Sequence, residues 1–188
     1  MDITQLILDD HAEQRRLFAI IEQIGSDDVD ALTKVWGRLS AFLDVHAEAE
    51  ERFFYPELLK RGEGANDAED GTVEGETEDA IEDHNKLRDA VKAANALKIG
   101  TPEWIEAVGK ANVVNSKHMG EEERQGLTDF RRNAPITKRH DLAVQFAAFE
   151  AEHLLALGDE ILEDLVQGGA DVDVAVGVGR AVVQDELG

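Results

Sequence analysis

The sequence predicts an all-α protein, an antiparallel up-down four-helix bundle with an additional C-terminal helix. Three observations carry that prediction. Apolar residues recur at helical spacing through most of the 188 residues, Gly, Pro, Thr and Asp fall between the periodic stretches as helix stops and starts, and strand signals are nearly absent. With 43% apolar residues the chain can bury a sizeable core, while 3 Pro and 5% aromatics argue against a sandwich or barrel.

The first helix runs from Asp2 through Ile3, Leu6, Ile7, Phe18 and Ile21 to Gly25, which suits a C-cap. Asp27 or Asp28 caps a second helix carrying Leu32, Trp36, Leu39, Phe42, Leu43 and Phe53, with Pro56 near its end and Gly62 and Gly64 as stops. Residues 62–76 hold four Gly and one large apolar residue, Val73, and read as a long acidic loop. A third helix is predicted over about 77–98, ending at Gly100. Thr101-Pro102-Glu103 then starts a fourth, with Thr as N-cap and Pro at the first helical position, running to about Arg131. Asn133 and Pro135 break the chain, and Thr137 can cap a fifth helix with Leu142, Phe146, Phe149, Leu157 and Ile161 before Gly168-Gly169. The tail from Asp171 reads equally as a short docked helix or a strand-like segment. The predicted division is a four-helix unit over 1–132 and a helical extension over 133–188 packed on it.

Composition narrows the function. There are 41 Asp plus Glu against 19 Lys plus Arg, a net charge of -22. Such a field repels phosphates and anionic headgroups, so nucleic acid and membrane surfaces are poor expected partners and cations good ones. The absence of Cys removes disulfides, iron–sulfur clusters and thiol catalysis, leaving His, Asp, Glu and Tyr as possible ligands. The acidic start lacks a basic segment followed by an apolar one, and no window approaches 18 uncharged apolar residues, so a soluble, cytoplasmic protein is expected.

The histidines fall in a pattern. In the second helix Leu32, Trp36, Leu39, Leu43, His46, Glu50 and Phe53 follow at spacings of 4, 3, 4, 3, 4 and 3, the seam of a packed helix. The fourth helix repeats it with Trp104, Val108, Ala111, Asn115, His118 and Glu122. His11 shares the face of Ile7 and Phe18, and His84 that of Leu87 and Val91. Asp10-His11 with Arg15 recurs as Asp83-His84 with Arg88, 73 residues later, and His46-x-x-x-Glu50-Glu51 recurs as His118-x-x-x-Glu122-Glu123, 72 residues later. In an antiparallel bundle all six groups can converge at one depth.

A lone inward His is more often a satisfied core residue or a register device than a ligand. Six inward groups in one layer favour ligation, and two inward carboxylates need a positive partner that the Lys and Arg of their own helices, off the seam, do not offer. Imidazole with carboxylate points to Fe, Mn or Zn rather than Ca or Mg, and six ligands suit two irons better than one tetrahedral zinc. His153, in Glu150-x-x-His153, continues the inward series of the fifth helix and is a further candidate, whereas His140 reads as solvent-facing or a local hydrogen-bond partner.

His11, His46-x-x-x-Glu50, His84 and His118-x-x-x-Glu122 resemble the hemerythrin-like, or HHE cation-binding, family in order, spacing and helix placement, and HAEAEERFFYPEL (46–58) is similar to its second-helix motif. The resemblance covers roughly 3–132. It implies two Fe ions with a bridging oxo or hydroxo group, Mn or mixed Fe/Mn being the alternatives, and a small partner such as O2, peroxide or nitric oxide. It leaves open O2 binding, sensing or iron storage, and peroxidase, catalase-like or oxidase turnover, including oxidation of an organic substrate.

Three departures from the family pattern bear on this. Arg88 stands where the oxygen carriers have a second third-helix His; Glu122 follows His118 by four where they place Asp at five, the position of Glu123; and Tyr55 falls one residue after the place where some relatives carry a ligand Tyr. Glu123 is thus a reserve ligand, and Tyr55 reads as packing or a hydrogen-bond partner. With one imidazole missing, both irons would keep an open position, which suits reaction with peroxide or O2 over simple carriage.

Overall fold

A computed structural model describes residues 1–64 and 72–168, with the side chains of 155–168 outside the description. Among the described residues every regular element is helical. The helices are α1 (Ile3–Gln23), α2 (Val29–Ala49), α3 (Tyr55–Arg61), α4 (Val73–Asn95), α5 (Pro102–Arg124), α6 (Gly126–Asn133) and α7 (Ile136–Gly168), and a π turn, Glu50–Phe54, joins α2 to α3. Pairs α1/α2 and α4/α5 form the four-helix bundle, and α7 is the additional C-terminal helix, lying against α1 and α2.

The starts follow local chemistry. Asp2, Asp28, Thr72 and Thr101 each accept a hydrogen bond from a backbone N–H of the turn they open, at 3.1, 3.1, 3.0 and 3.3 Å. Such caps satisfy donors that a helix leaves unpaired. Several boundaries differ from the sequence expectation. α1 closes on Ile24, in extended conformation, rather than on Gly25. α4 begins at Val73 rather than about 77, because Thr72 caps it and Val73 is buried in the core. The predicted fourth helix splits at Gln125, whose φ of -101° and ψ of -89° leave the helical region, giving α5 and α6. Pro135 rather than Thr137 precedes α7, its carbonyl accepting from Arg139 N–H at 3.1 Å. The side chains of Leu157 and Ile161, residues 65–71 of the acidic loop and the tail after Gly168 lie outside the described residues.

The π turn was not foreseen. Its wide hydrogen bond runs from Tyr55 N–H to the Glu50 carbonyl. Pro56 offers the local cause, since it lacks an N–H and its ring would press on the carbonyl four residues back. The turn inserts one residue into the helical register. Phe53, predicted on the seam, is consequently only half-buried against Phe149, with ring centroids 5.7 Å apart, while Phe54 and Tyr55 turn inward.

Two apolar clusters fill the bundle. One gathers Ile3, Ile7, Phe54, Leu58, Phe130 and Phe146; the other gathers Phe18, Leu32, Trp36, Leu39, Leu87 and Trp104. Burial of each aromatic or aliphatic side chain contributes about 1.5–3 kcal/mol. Trp36 and Trp104 meet edge to face at 5.9 Å, and Trp36 donates its indole N–H to Asn95 at 2.7 Å. Between the clusters lies a layer of His and Glu. Leu154 of α7 packs against both clusters.

Candidate metal centre

The helical seams bring all six sequence-predicted residues together. His11, His46, Glu50, His84, His118 and Glu122 are each buried, at 0, 4, 0, 1, 4 and 6% exposure. The Glu50 carboxylate stands in the middle. Its Oε1 lies 2.9 Å from His46 Nε2 and 3.8 Å from His11 Nε2; its Oε2 lies 3.1 Å from His84 Nε2 and 3.8 Å from His118 Nε2. Glu122 Oε2 lies 3.4 Å from His11 Nε2, and the Nε2 atoms of His84 and His118 are 3.1 Å apart. Two ligand pockets follow, His11/His46 on one oxygen of Glu50 and His84/His118 on the other, and Glu122 joins His11 and His118 in a further grouping.

The donor set fits a cation. His11 Nε2, His46 Nε2 and both carboxylate oxygens of Glu50 and of Glu122 are buried without a hydrogen-bond partner. A buried donor or acceptor left unsatisfied costs about 1–3 kcal/mol, so a layer of them is a strong statement about what belongs there. The spacing also fits, because two ligands at about 2.1 Å from one ion and at right angles stand about 3 Å apart.

The charges are correspondingly strained. Burial opposes a charge on His11, yet Glu122, Glu123 and Glu50 pull its pKa up to about 10. Burial likewise opposes His46, which Glu50, Asp10 and Glu150 hold well above the usual imidazole range. Glu50, despite burial that favours its neutral form, is held well below the carboxylate range by His46, His11 and His118. A cation bound by these donors would compete with their protons.

The far nitrogens of the rings are held by a second set of acids. His11 Nδ1 donates to Glu123 Oε1 at 3.0 Å, and His84 Nδ1 to Glu51 Oε1 at 2.9 Å. Each acid is also paired with the repeat's arginine, Arg15 with Glu123 at 2.6 Å and Arg88 with Glu51 at 3.0 Å. Fixing Nδ1–H in this way presents the Nε2 lone pair inward. Glu123 is therefore placed behind His11, and Arg88 turns outward to Glu51 and Asp44.

Sequence reasoning missed two groups. His46 Nδ1 lies 3.5 Å from Asp10 Oδ2 and 3.4 Å from Glu150 Oε1. Glu150 is the fifth-helix group that reaches the centre; it follows Phe146 by one helical turn, a signal present in the sequence. Burial pushes its carboxyl above the usual range, opposed by His46. His153, three residues on, instead hydrogen-bonds the Phe149 carbonyl at 2.7 Å and stacks on that ring. His140 is exposed, beside the amino terminus at 3.1 Å. Tyr55, carried inward by the π turn, puts its hydroxyl 3.4 Å from His84 Nε2.

Two openings reach the layer. A polar cavity of about 430 Å³ is lined by Tyr55, Asp83, Lys117, His118 and Glu122. A groove of about 550 Å³ between α2 and α4 is walled by Ala41, Leu43, Ala47, Leu87 and Val91 and touches His84. Among the described residues no helix is long and apolar enough to cross a membrane.

Comparison with known proteins gives a family match and a curated relative. The family model described as the hemerythrin HHE cation binding domain matches residues 2–130. A curated relative named DNA nickase, from Nostoc sp. (strain PCC 7120), is 23% identical over 160 residues, which is 85% of this chain and 42% of that protein. The chain therefore spans about two-fifths of the length of the curated relative it matches. No solved structure matches the chain.

Proposed function

Because the chain belongs to the hemerythrin HHE cation-binding family, we propose that its buried His and Glu layer holds two iron ions and binds or reacts with O2 or peroxide. One observation carries the reading. The two oxygens of Glu50 face two separate histidine pairs, at 2.9 Å from His46 and 3.1 Å from His84, and neither oxygen has another partner. His11, His46, His84 and His118, with Glu50 and Glu122, would hold the ions. A pair of irons held there would supply two-electron exchange with O2 or peroxide.

The chain's own residues shape the rest. Glu51 and Glu123 fix the tautomers of His84 and His11. The apolar wall between α2 and α4 suits a diatomic gas, and the polar cavity beside Tyr55 and Glu122 suits water, protons and peroxide. Manganese could occupy the same donors, so metal availability bears on identity.

The test is metal analysis with an absorption spectrum, followed by stopped-flow mixing of the reduced protein with O2 and of the oxidised protein with peroxide. Two irons per chain and near-ultraviolet charge-transfer bands are expected. E50Q should lose at least half of the metal. One equivalent of zinc without such bands overturns the reading, and reversible O2 uptake without peroxide consumption moves it to carriage.

The name of the Nostoc relative brings a second reading, nicking of DNA. A net charge of -22 opposes DNA binding by this chain. We therefore propose no nucleic-acid partner, and a plasmid-nicking assay with the metal-loaded chain should show intact supercoiled DNA.

A further inference from the structure

The internal repeat makes the two halves of the centre comparable, and they differ in charge. Asp10 of α1 corresponds to Asp83 of α4, and His46 of α2 to His118 of α5. Asp83 is buried at 3% exposure and neutralised twice, by Lys117 at 2.8 Å and Lys86 at 3.1 Å. Asp10 has no Lys or Arg partner among the described residues, and its Oδ2 faces His46 Nδ1 at 3.5 Å. On the same nitrogen α7 sets a second carboxylate, Glu150, at 3.4 Å. The three atoms, His46 Nδ1, Asp10 Oδ2 and Glu150 Oε1, are buried without a hydrogen bond to any group, the two oxygens lying within ion-pair distance of the nitrogen.

Behind His11, Glu123 is offset by Arg15, as Glu51 behind His84 is offset by Arg88. Those two cancel in the comparison. What remains, with no Lys or Arg partner among the described residues, is Asp10 and Glu150 beside the His11/His46 pair, against a neutralised Asp83 on the other side. Residue 150 lies beyond the matched span of 2–130, so the family motif does not account for it.

We propose that Glu150 and Asp10 are positioning residues that make the two cation positions unequal, the His11/His46 position being the tighter and the first to fill. The proposal rests on the metal-centre reading above. A carboxylate facing the far nitrogen of a ligating imidazole orients the ring and raises its basicity as a ligand. Two of them flank that nitrogen of His46, one from α1 at 3.5 Å and one from α7 at 3.4 Å.

The test is calorimetric and optical titration of the metal-stripped full-length chain with Co2+, which reports binding without any turnover. Wild type should show two steps at least about tenfold apart, the size of effect such supporting carboxylates carry. H46Q should abolish the tighter step and H118Q the weaker. E150Q and D10N should each weaken the tighter step by about tenfold and alter its visible Co2+ bands, with the weaker step unchanged and E150D partly restoring the loss. Circular dichroism and melting curves check that each variant is folded. Equal affinities in wild type, loss of the tighter step in H118Q rather than H46Q, or an E150Q titration superposable on wild type would each overturn the proposal. Absence of Co2+ binding altogether overturns the metal-centre reading, and this one with it.

Discussion

Glu51 Oε1 lies 2.9 Å from His84 Nδ1 while the Arg88 guanidinium meets the same oxygen at 3.0 Å. One carboxylate thus fixes a ring tautomer and is itself fixed. The arrangement recurs in Glu123, His11 and Arg15. E51Q should weaken Co2+ binding at the His84/His118 position by about tenfold, and E123Q should weaken it at the His11/His46 position by a similar factor. Titration of the stripped protein reads both. Equal loss at both positions in either variant would refute the assignment.

Tyr55 offers a separation of stability from spectroscopy. Its hydroxyl is 3.4 Å from His84 Nε2, long for such a bond, so Y55F should cost less than about 1 kcal/mol in urea denaturation. The visible bands of the Co2+-loaded protein should nonetheless shift, because the hydroxyl is beside the ring nitrogen that faces the ion. Bands identical to wild type would show that Tyr55 only packs.

Much of this layer was legible in the sequence because a seam written at spacings of 3 and 4 fixes which side chains share a depth, and His46-x-x-x-Glu50 and His118-x-x-x-Glu122 stay on that seam. Phe53 was misplaced because periodicity assumes a constant pitch, and Pro56 opens the pitch just before it. Glu150 escaped for another reason. Which of two residues three apart on α7 faces His46 depends on how α7 rolls against α1 and α2, and the sequence of α7 alone leaves Glu150 and His153 as rivals.

Glu57 gives the pH dependence. Despite partial burial, which works the other way, Lys60, Arg61 and Lys138 at 2.9, 3.0 and 3.3 Å lower its pKa from 4.5 to about 2. A folded-state value below the unfolded one means that the pairing stabilises above about pH 4.5 and is lost as pH falls toward 2. E57Q should therefore cost about 1 kcal/mol at pH 7, screened by the exposure of Lys60 and Arg61, and the difference should vanish near the folded pKa. Urea denaturation of both proteins at pH 7, 4 and 3 reads it; a constant offset across that range would contradict the assignment.

Gly100 connects α4 to α5 with φ at +82°, and a Cβ there would meet the Ser26 carbonyl oxygen at 2.5 Å. G100A should lower stability by about 1–3 kcal/mol, from the left-handed backbone and the collision with fixed backbone together. Denaturation of the metal-free chain measures this directly, and a neutral result would mean that the loop relaxes away from Ser26.

The layer between the two apolar clusters also bears on how the molecule comes apart. Leu154 packs against both clusters, and the buried His and Glu layer is a further junction between them. Without a cation that junction is a set of buried His and Glu groups paired with one another; a bound cation would cross-link four helices. Metal occupancy should accordingly appear as cooperativity. The loaded chain should melt in one transition, with calorimetric and van't Hoff enthalpies equal, and the stripped chain should broaden toward two as the Trp36/Trp104 end and the Phe54/Phe130 end release separately.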